Sequence, residues 1–277
     1  MLELLEYSFF KNAIAGISII SIASAIIGSY IITRRMVSIA GGITHACFGG
    51  LGLGYFIGIN PIITASIFAI ASSIGVEWLS TRCKVREDSA IAVVWALGMA
   101  IGVLFVFLTP GYVPELNSFL FGNILTISTE DLWLFGIFTI LLILFFTIYY
   151  HKIIAIAFDR DYAKVSHLPV KTISYIMTIF IAICIVLTIR LIGIMLLISM
   201  LSLPQMIAEI YCHKFKSIIL TAIAISFLSG ISGLLLSTII DVPCSATIVL
   251  ILVILFIASH LIKWMLRKKT NAINHYK

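Results

Sequence analysis

The chain has 277 residues, of which 61% are hydrophobic and 11% charged, with a formal net charge of +6. Charge that sparse cannot clothe a soluble globule, where about a quarter of residues are charged. The basic residues are scattered over short loops, which argues against a nucleic-acid partner. Apolar runs of about 20 residues match a helix crossing roughly 30 Å of hydrocarbon; the short alternating segments of a membrane barrel are missing.

Taken in chain order, the runs predict an all-α, polytopic membrane bundle. Nine candidate spans cover about 9–33, 37–59, 61–80, 89–109, 132–150, 170–189, 191–210, 217–240 and 244–264. The sixth and seventh are parted only by Arg190, so eight is the alternative count. The opening "MLELLEYSFFKN" carries acids where a signal peptide carries bases, and its apolar stretch reads as a retained span. Lysine and arginine set the orientation. With the N-terminus outside and the C-terminus cytoplasmic, 16 of the 18 basic residues lie on the cytoplasmic side, leaving Lys11 and Arg190 outside. The outer side then leans acidic (Glu3, Glu6, Glu115, Glu130, Asp131, Asp241), as the same rule explains. Cys47, Cys83, Cys184, Cys212 and Cys244 have no metal or redox spacing and read as small packing residues.

The second span is the weakest by hydropathy, because seven of the 18 glycines lie between residues 41 and 58. At 100° per residue, Ser38, Gly41, His45, Gly49 and Gly52 share one face within about 80°. That stripe has no bulky apolar side chain. The imidazole of His45 therefore projects either into a tight helix contact or into a path for solvent and substrate. Asp88 and Ser89 open the fourth span as an N-cap with a favourable dipole charge. The stretch from Pro110 to Asp131 is too long for a turn and too apolar for a solvated loop; its centre, Phe119–Leu125, either dips back into the bundle or lies on the outer surface.

Between the fifth and sixth spans lies "AFDRDYAKVSHLPV", residues 157–170. Asp159 is a good N-cap, Asp161 falls in the first turn, and Pro169 is placed to stop a helix of about two turns. So short a helix is marginal alone and must rest on something. Glu77 and Glu209 are the acids within predicted spans; both lie near the cytoplasmic ends, where snorkelling accounts for them. Intramembrane acid pairs suited to ion coupling are missing, and no G-x-x-x-x-G-K-[ST] phosphate loop occurs, so ATP chemistry would have to come from a partner. His151, His167 and His213 sit on separate loops without acidic companions, which disfavours a membrane enzyme. His260 reads as a packing residue.

Over nearly its whole length the chain resembles the permease subunit of the ABC importers for zinc, manganese and iron. The resemblance rests on "RRM" at 34–36, "THA" at 44–46, "DSAI" at 88–91, "LFGNIL" at 120–125, Phe158, Asp159 and Ala163, "GIMLLISMLSLP" at 193–204 and "DVPCSATIV" at 241–249. No one motif is specific; their order and spacing together are. The resemblance implies a single permease domain over 1–277 in the bacterial inner membrane, working as a homodimer in lipid. A cytoplasmic ABC ATPase and an extracytoplasmic solute-binding protein would be its partners. A divalent metal cation would be cargo, with no stably bound cofactor and no enzymatic activity in this chain. It also implies that 158–168 form a coupling helix seated in a groove of the ATPase, with Phe158, Asp159, Ala163 and His167 in the contact and Ala163 small enough for close seating. His167 stands where the family usually has glycine. His45, with Thr44 beside it, would line the cation path, while Gly41 replaces an Asp common in the family four residues before this histidine. The alternatives are a permease for a metal chelate or vitamin, and less favourably a secondary transporter or membrane enzyme.

Overall fold

The computed structural model describes residues 7–110, 122 and 124–274. Among them are ten α-helices, one 3-10 turn and no strand. Four helices come first: α1 (Ser8–Thr33), α2 (Ser38–Ile57), α3 (Pro61–Thr81) and α4 (Glu87–Leu108). After the turn at Ile124–Thr126 follow α5 (Thr129–Ile148), α6 (Tyr150–Phe158), α7 (Arg160–Val165), α8 (Val170–Tyr211), α9 (Phe215–Ile240) and α10 (Cys244–Asn274). Seven of these helices, α1, α3, α4, α5, α8, α9 and α10 up to Leu266, are long and apolar enough to cross a membrane. Helix α2 is not among the seven, because its glycines and His45 dilute an otherwise apolar run. Large apolar side chains such as Ile67, Trp78, Phe107, Ile140 and Leu250 stand on the outside of the bundle, as a hydrocarbon surround allows and water does not.

Helix α8 corrects the division of the sixth and seventh spans at Arg190. Its 42 residues would reach about 63 Å if straight, but Gly193 breaks it with φ 78° and ψ 174°, a region open essentially to glycine alone. The two limbs fold back on each other. Ser174 on the first limb meets Arg160, and Glu209 near the end of the second lines a cleft with Arg34, Arg35 and Phe158. Both limb ends thus share the basic end of the bundle. Arg190, just before the break, lies at the other end, ion-paired with Asp131 at 2.9 Å. Gly122, itself at φ 54°, nestles against the break: a Cβ there would come within 2.6 Å of the Ile192 carbonyl. Most of the Phe119–Leu125 stretch lies outside the described residues; Ile124 within it is buried.

Helices α2, α3 and α4 pack mainly on one another, and this unit meets the remaining helices chiefly through α8. Helices α1, α8, α9 and α10 form the other body. The glycines of α2 explain the closeness of the first unit. A Cβ on Gly50 would come within 2.5 Å of the Thr64 carbonyl and one on Gly54 within 2.7 Å of Pro61 Cα, so this pair admits α3. Gly49 and Gly52 admit α4 in the same way, at 3.0 Å from the Gly98 carbonyl and 2.5 Å from that of Gly102. In lipid, where no hydrophobic drive brings helices together, such backbone proximity supplies the van der Waals contact.

Candidate functional site

The stripe Ser38–Gly41–His45–Gly49–Gly52 is the seam between α2 and α4. The two helices run parallel, with partners offset by about 50 positions. Ser38 Oγ donates to Asp88 Oδ1 at 3.2 Å, His45 lies on Trp95, and Gly49 and Gly52 sit against Gly98 and Gly102. Asp88 therefore does not cap α4: the helix begins at Glu87, and Asp88 in its first turn holds the Ser38 hydroxyl. The matching stripe on α4, Asp88–Trp95–Gly98–Gly102, also falls within about 80°, and its two glycines are the signal that the sequence carries for it.

His45 is half-buried and sandwiched by aromatic rings. The Trp95 ring lies 4.6 Å from it, centroid to centroid, and only 4° from parallel; Phe48 stacks on it at 5.9 Å and 17°. The stack fixes the plane of the imidazole and leaves its edge to make polar contacts. Nδ1 is buried and has no hydrogen-bond partner among the described residues. Such an atom costs about 1–3 kcal/mol when left unmet, and a neutral imidazole nitrogen is a good donor to a transition-metal cation. One turn earlier, Gly41 leaves room: a Cβ there would meet only the Trp95 ring, at 3.8 Å. Thr44 is fully buried and its hydroxyl donates to the Ala40 carbonyl at 2.5 Å, within its own helix. Among the described residues no three His, Cys, Asp or Glu side chains gather as a metal site. His45 thus stands as a lone candidate donor, without a cage of such side chains around it among the described residues.

The basic end holds a second constellation. Asp159 caps α7 as the sequence indicated, its Oδ1 accepting from the backbone N–H groups of Asp161 and Tyr162, both at 2.9 Å. Asp161 pairs with Lys164 at 2.7 Å, and the hydrogen bond from Lys164 holds the Asp161 carboxyl below its usual range. Three expectations change here. Phe158 closes α6 and does not belong to α7. Ala163 is fully buried in its own chain, so its small size seats α7 on the bundle and not in a partner's groove. The helix also ends four residues before Pro169. His167 takes φ 54°, the Leu168 N–H reaches back to the Ala163 carbonyl at 3.0 Å, and the His167 N–H reaches the Lys164 carbonyl at 3.1 Å. That is a Schellman stop, with histidine in the left-handed position glycine usually takes. The outward side of this region carries Phe158, Tyr162 and Val165, 64–80% exposed.

Glu77 overturns the snorkelling reading. Its side chain is only 1% exposed and joins an ion-pair cluster of Arg34, Glu77, Glu87 and Arg160. Arg34 pairs with Glu87 and stands 3.7 Å from Glu77, while its other contacts are the Tyr30 hydroxyl at 3.2 Å and the Tyr30 ring. Arg160 pairs with Glu77, reaches Glu87 at 2.9 Å and donates to Ser174 Oγ at 3.1 Å. Two guanidinium groups thus meet two carboxylates, the mutual compensation that charges buried this deeply require. The sequence signal was thin, since the four lie on four separate segments. Glu209, by contrast, is exposed at the basic end, where snorkelling suffices.

The chain has relatives among known proteins. A probable metal transport system membrane protein of Chlamydia pneumoniae is 34% identical over 249 residues, covering 88% of this chain and 85% of its own. The manganese transport system membrane protein MntC of Listeria monocytogenes is 29% identical over 258 residues, covering 93% and 92%. Among solved structures, PsaBC from Streptococcus pneumoniae in complex with Fab shares the fold, with a TM-score of 0.79, 24% identity and 92% of each chain covered. The model of the ABC 3 transport family matches residues 6–263, and the chain belongs to that family, as a membrane-spanning permease of the metal-transporting ABC type.

Proposed function

We propose that this chain forms the translocation path of an ATP-driven importer for a divalent metal cation (manganese, zinc or iron) in a bacterial inner membrane. The observation that carries the reading is the His45 imidazole, clamped by Trp95 and Phe48 with Nδ1 buried and unpartnered beside the space at Gly41. The names of the Chlamydia and Listeria relatives support a metal cargo. A single neutral ligand suits a carrier, which must release what it binds. Further ligands would come from a second copy of the chain, in keeping with a homodimer sharing one central path. The two limbs of α8, counted separately and joined by α2 and the other six long helices, favour nine crossings, with the N-terminus outside and the C-terminus cytoplasmic. A solute-binding protein would deliver the cation to the outer end. Two cassette ATPases would grip the 158–168 region through Phe158, Tyr162 and Val165 and drive alternating access.

The test is metal uptake by an uptake-deficient host at low external metal. His45→Ala should lower uptake about tenfold or more at normal expression, the equivalent of losing one good ligand. Undiminished uptake would sink the ligand role.

A further inference from the structure

Helix α7 packs on α6 and α8, whereas the α2–α4 unit that carries His45 meets the other helices chiefly through α8. Among the described residues, the side chain of Arg160 bridges α7 to α3 and α4. Arg160, the first residue of α7, places Nη2 on Glu77 near the end of α3 and Nη1 on Glu87 at the start of α4. We propose that Arg160 is a positioning residue that transmits movement of α7 to the α2–α4 unit through Glu77 and Glu87. The proposal rests on the reading of 158–168 as the ATPase-coupled region.

Three observations carry it. First, α7 has six residues and one buried side chain, Ala163, so packing alone gives it little purchase on anything beyond its immediate supports. A guanidinium, in contrast, is a rigid planar fork that can hold carboxylates on two helices at once. Second, the two arginines are not equivalent. Arg34 is 4% exposed and tied to α1 through Tyr30, whereas Arg160 is 23% exposed and belongs to the short helix. Arg34 can keep the carboxylates partly compensated while Arg160 shifts. Full withdrawal of Arg160 would leave two carboxylates facing one guanidinium, with Glu77 almost wholly out of water. The charges therefore resist separation, and α3 and α4 are drawn along with α7. Third, the cluster has a second arrangement within reach. Glu77 Oε2 and Arg160 Nε are both buried without a hydrogen-bond partner among the described residues, and Arg34 Nη1 waits 3.7 Å from Glu77 Oε2. Closing that gap would exchange one set of bonds for another as α7 moves, the discrete rearrangement that carries coupling between sites.

The experiment uses the permease assembled with its cognate ATPase in liposomes, scored for complex yield, ATP hydrolysis and uptake of manganese and of zinc. Arg160→Gln should assemble and hydrolyse ATP at near-native rates, while cation moved per ATP falls about tenfold or more, a lost coupling of the size typical between linked sites. Arg160→Lys, which keeps the charge but loses the fork, should fall between the two. Native transport per ATP in Arg160→Gln overturns the proposal. So does a loss of transport in strict proportion to complex yield, which would mark a merely structural residue. If Arg160→Gln fails to assemble, Glu87→Gln removes one arm of the link and carries the same prediction and the same refutation. Val165→Asp, on the exposed side of α7, separates the two readings. ATPase binding left at the native level would overturn the coupling assignment itself. Binding lost, with Arg160→Gln transporting as the native chain does, would leave the assignment standing and remove only the link.

Discussion

At the scale of single residues, three helix stops at one end of the bundle place Arg, Lys or His where other chains use glycine. Arg35, Lys84 and His167 each take positive φ just beyond a helix at the basic end. A left-handed L-residue costs roughly 1–2 kcal/mol, but a basic group beyond a helix C-terminus recovers part of that from the macrodipole. At His167 the stop rests on backbone bonds, because the Schellman bonds to Ala163 and Lys164 are both formed around it. His167→Gly should relieve the strain and slow hydrogen exchange at the Leu168 amide severalfold, equivalent to about 1 kcal/mol less the glycine's added unfolded-state entropy. His167→Val, β-branched at the same φ, should speed exchange there. Equal exchange in the two variants would show that the turn is held by its neighbours and not by residue 167. The sequence marked this turn but misattributed its end to Pro169, since proline is visible in a sequence and a left-handed histidine is not. For a like reason Asp159 was legible: a side-chain cap acts within three residues of itself, whereas the ion pairs of Glu77 depend on Arg34 and Arg160, 43 and 83 positions away.

At the scale of elements, the two bare stripes of α2 and α4 were half-visible. The face of α2 follows from periodicity alone; what lies against it needed the second stripe, and Trp95 falls on that stripe at a depth where a tryptophan would ordinarily be assigned to lipid. The break of α8 was equally hidden, because Arg190 is the conspicuous residue and Gly193, three places on, is the one with the needed backbone freedom. Glycines in this bundle accordingly serve different ends, and substitution distinguishes them. Gly52→Ala would thrust a Cβ against the Gly102 carbonyl at 2.5 Å, backbone on backbone with no flexible tip to yield. It should cost about 1–3 kcal/mol, as overpacking does, and lower the melting temperature of the detergent-solubilised protein. Gly136→Ala in α5 meets nothing within 4 Å and should raise it, by the roughly 0.5–1 kcal/mol that alanine gains over glycine inside a helix. Opposite signs from one chemical change are the outcome to look for; two losses would mean that α5 also has a close neighbour.

At the scale of the whole molecule, the two ends differ in kind. One gathers Arg34, Arg35, Arg160 and the exposed side chains of α7; the other holds Asp131, Arg190 and the chain reversal of α8. The cluster of four ion-paired residues belongs to the first end, so any force applied to α7 enters the bundle where α1, α3 and α4 also terminate or begin. The candidate ligand His45 lies two turns into α2 from that same end, and Trp95 lies as deep in α4. A motion that tilts α3 and α4 would thus shift the ring against which His45 is stacked. This mechanical picture needs the basic end to face the cytoplasm, where ATP is. Cys83, exposed in the α3–α4 connection, reports on that side, while Cys47 and Cys184 are buried and silent. With Cys212 and Cys244 changed to serine, a membrane-impermeant maleimide should label Cys83 in inverted membrane vesicles and spare it in right-side-out cells, as the excess of lysine and arginine at that end requires. Labelling from outside the cell would reverse the orientation, detach α7 from any cytoplasmic ATPase, and leave His45 nearest the face from which cargo arrives.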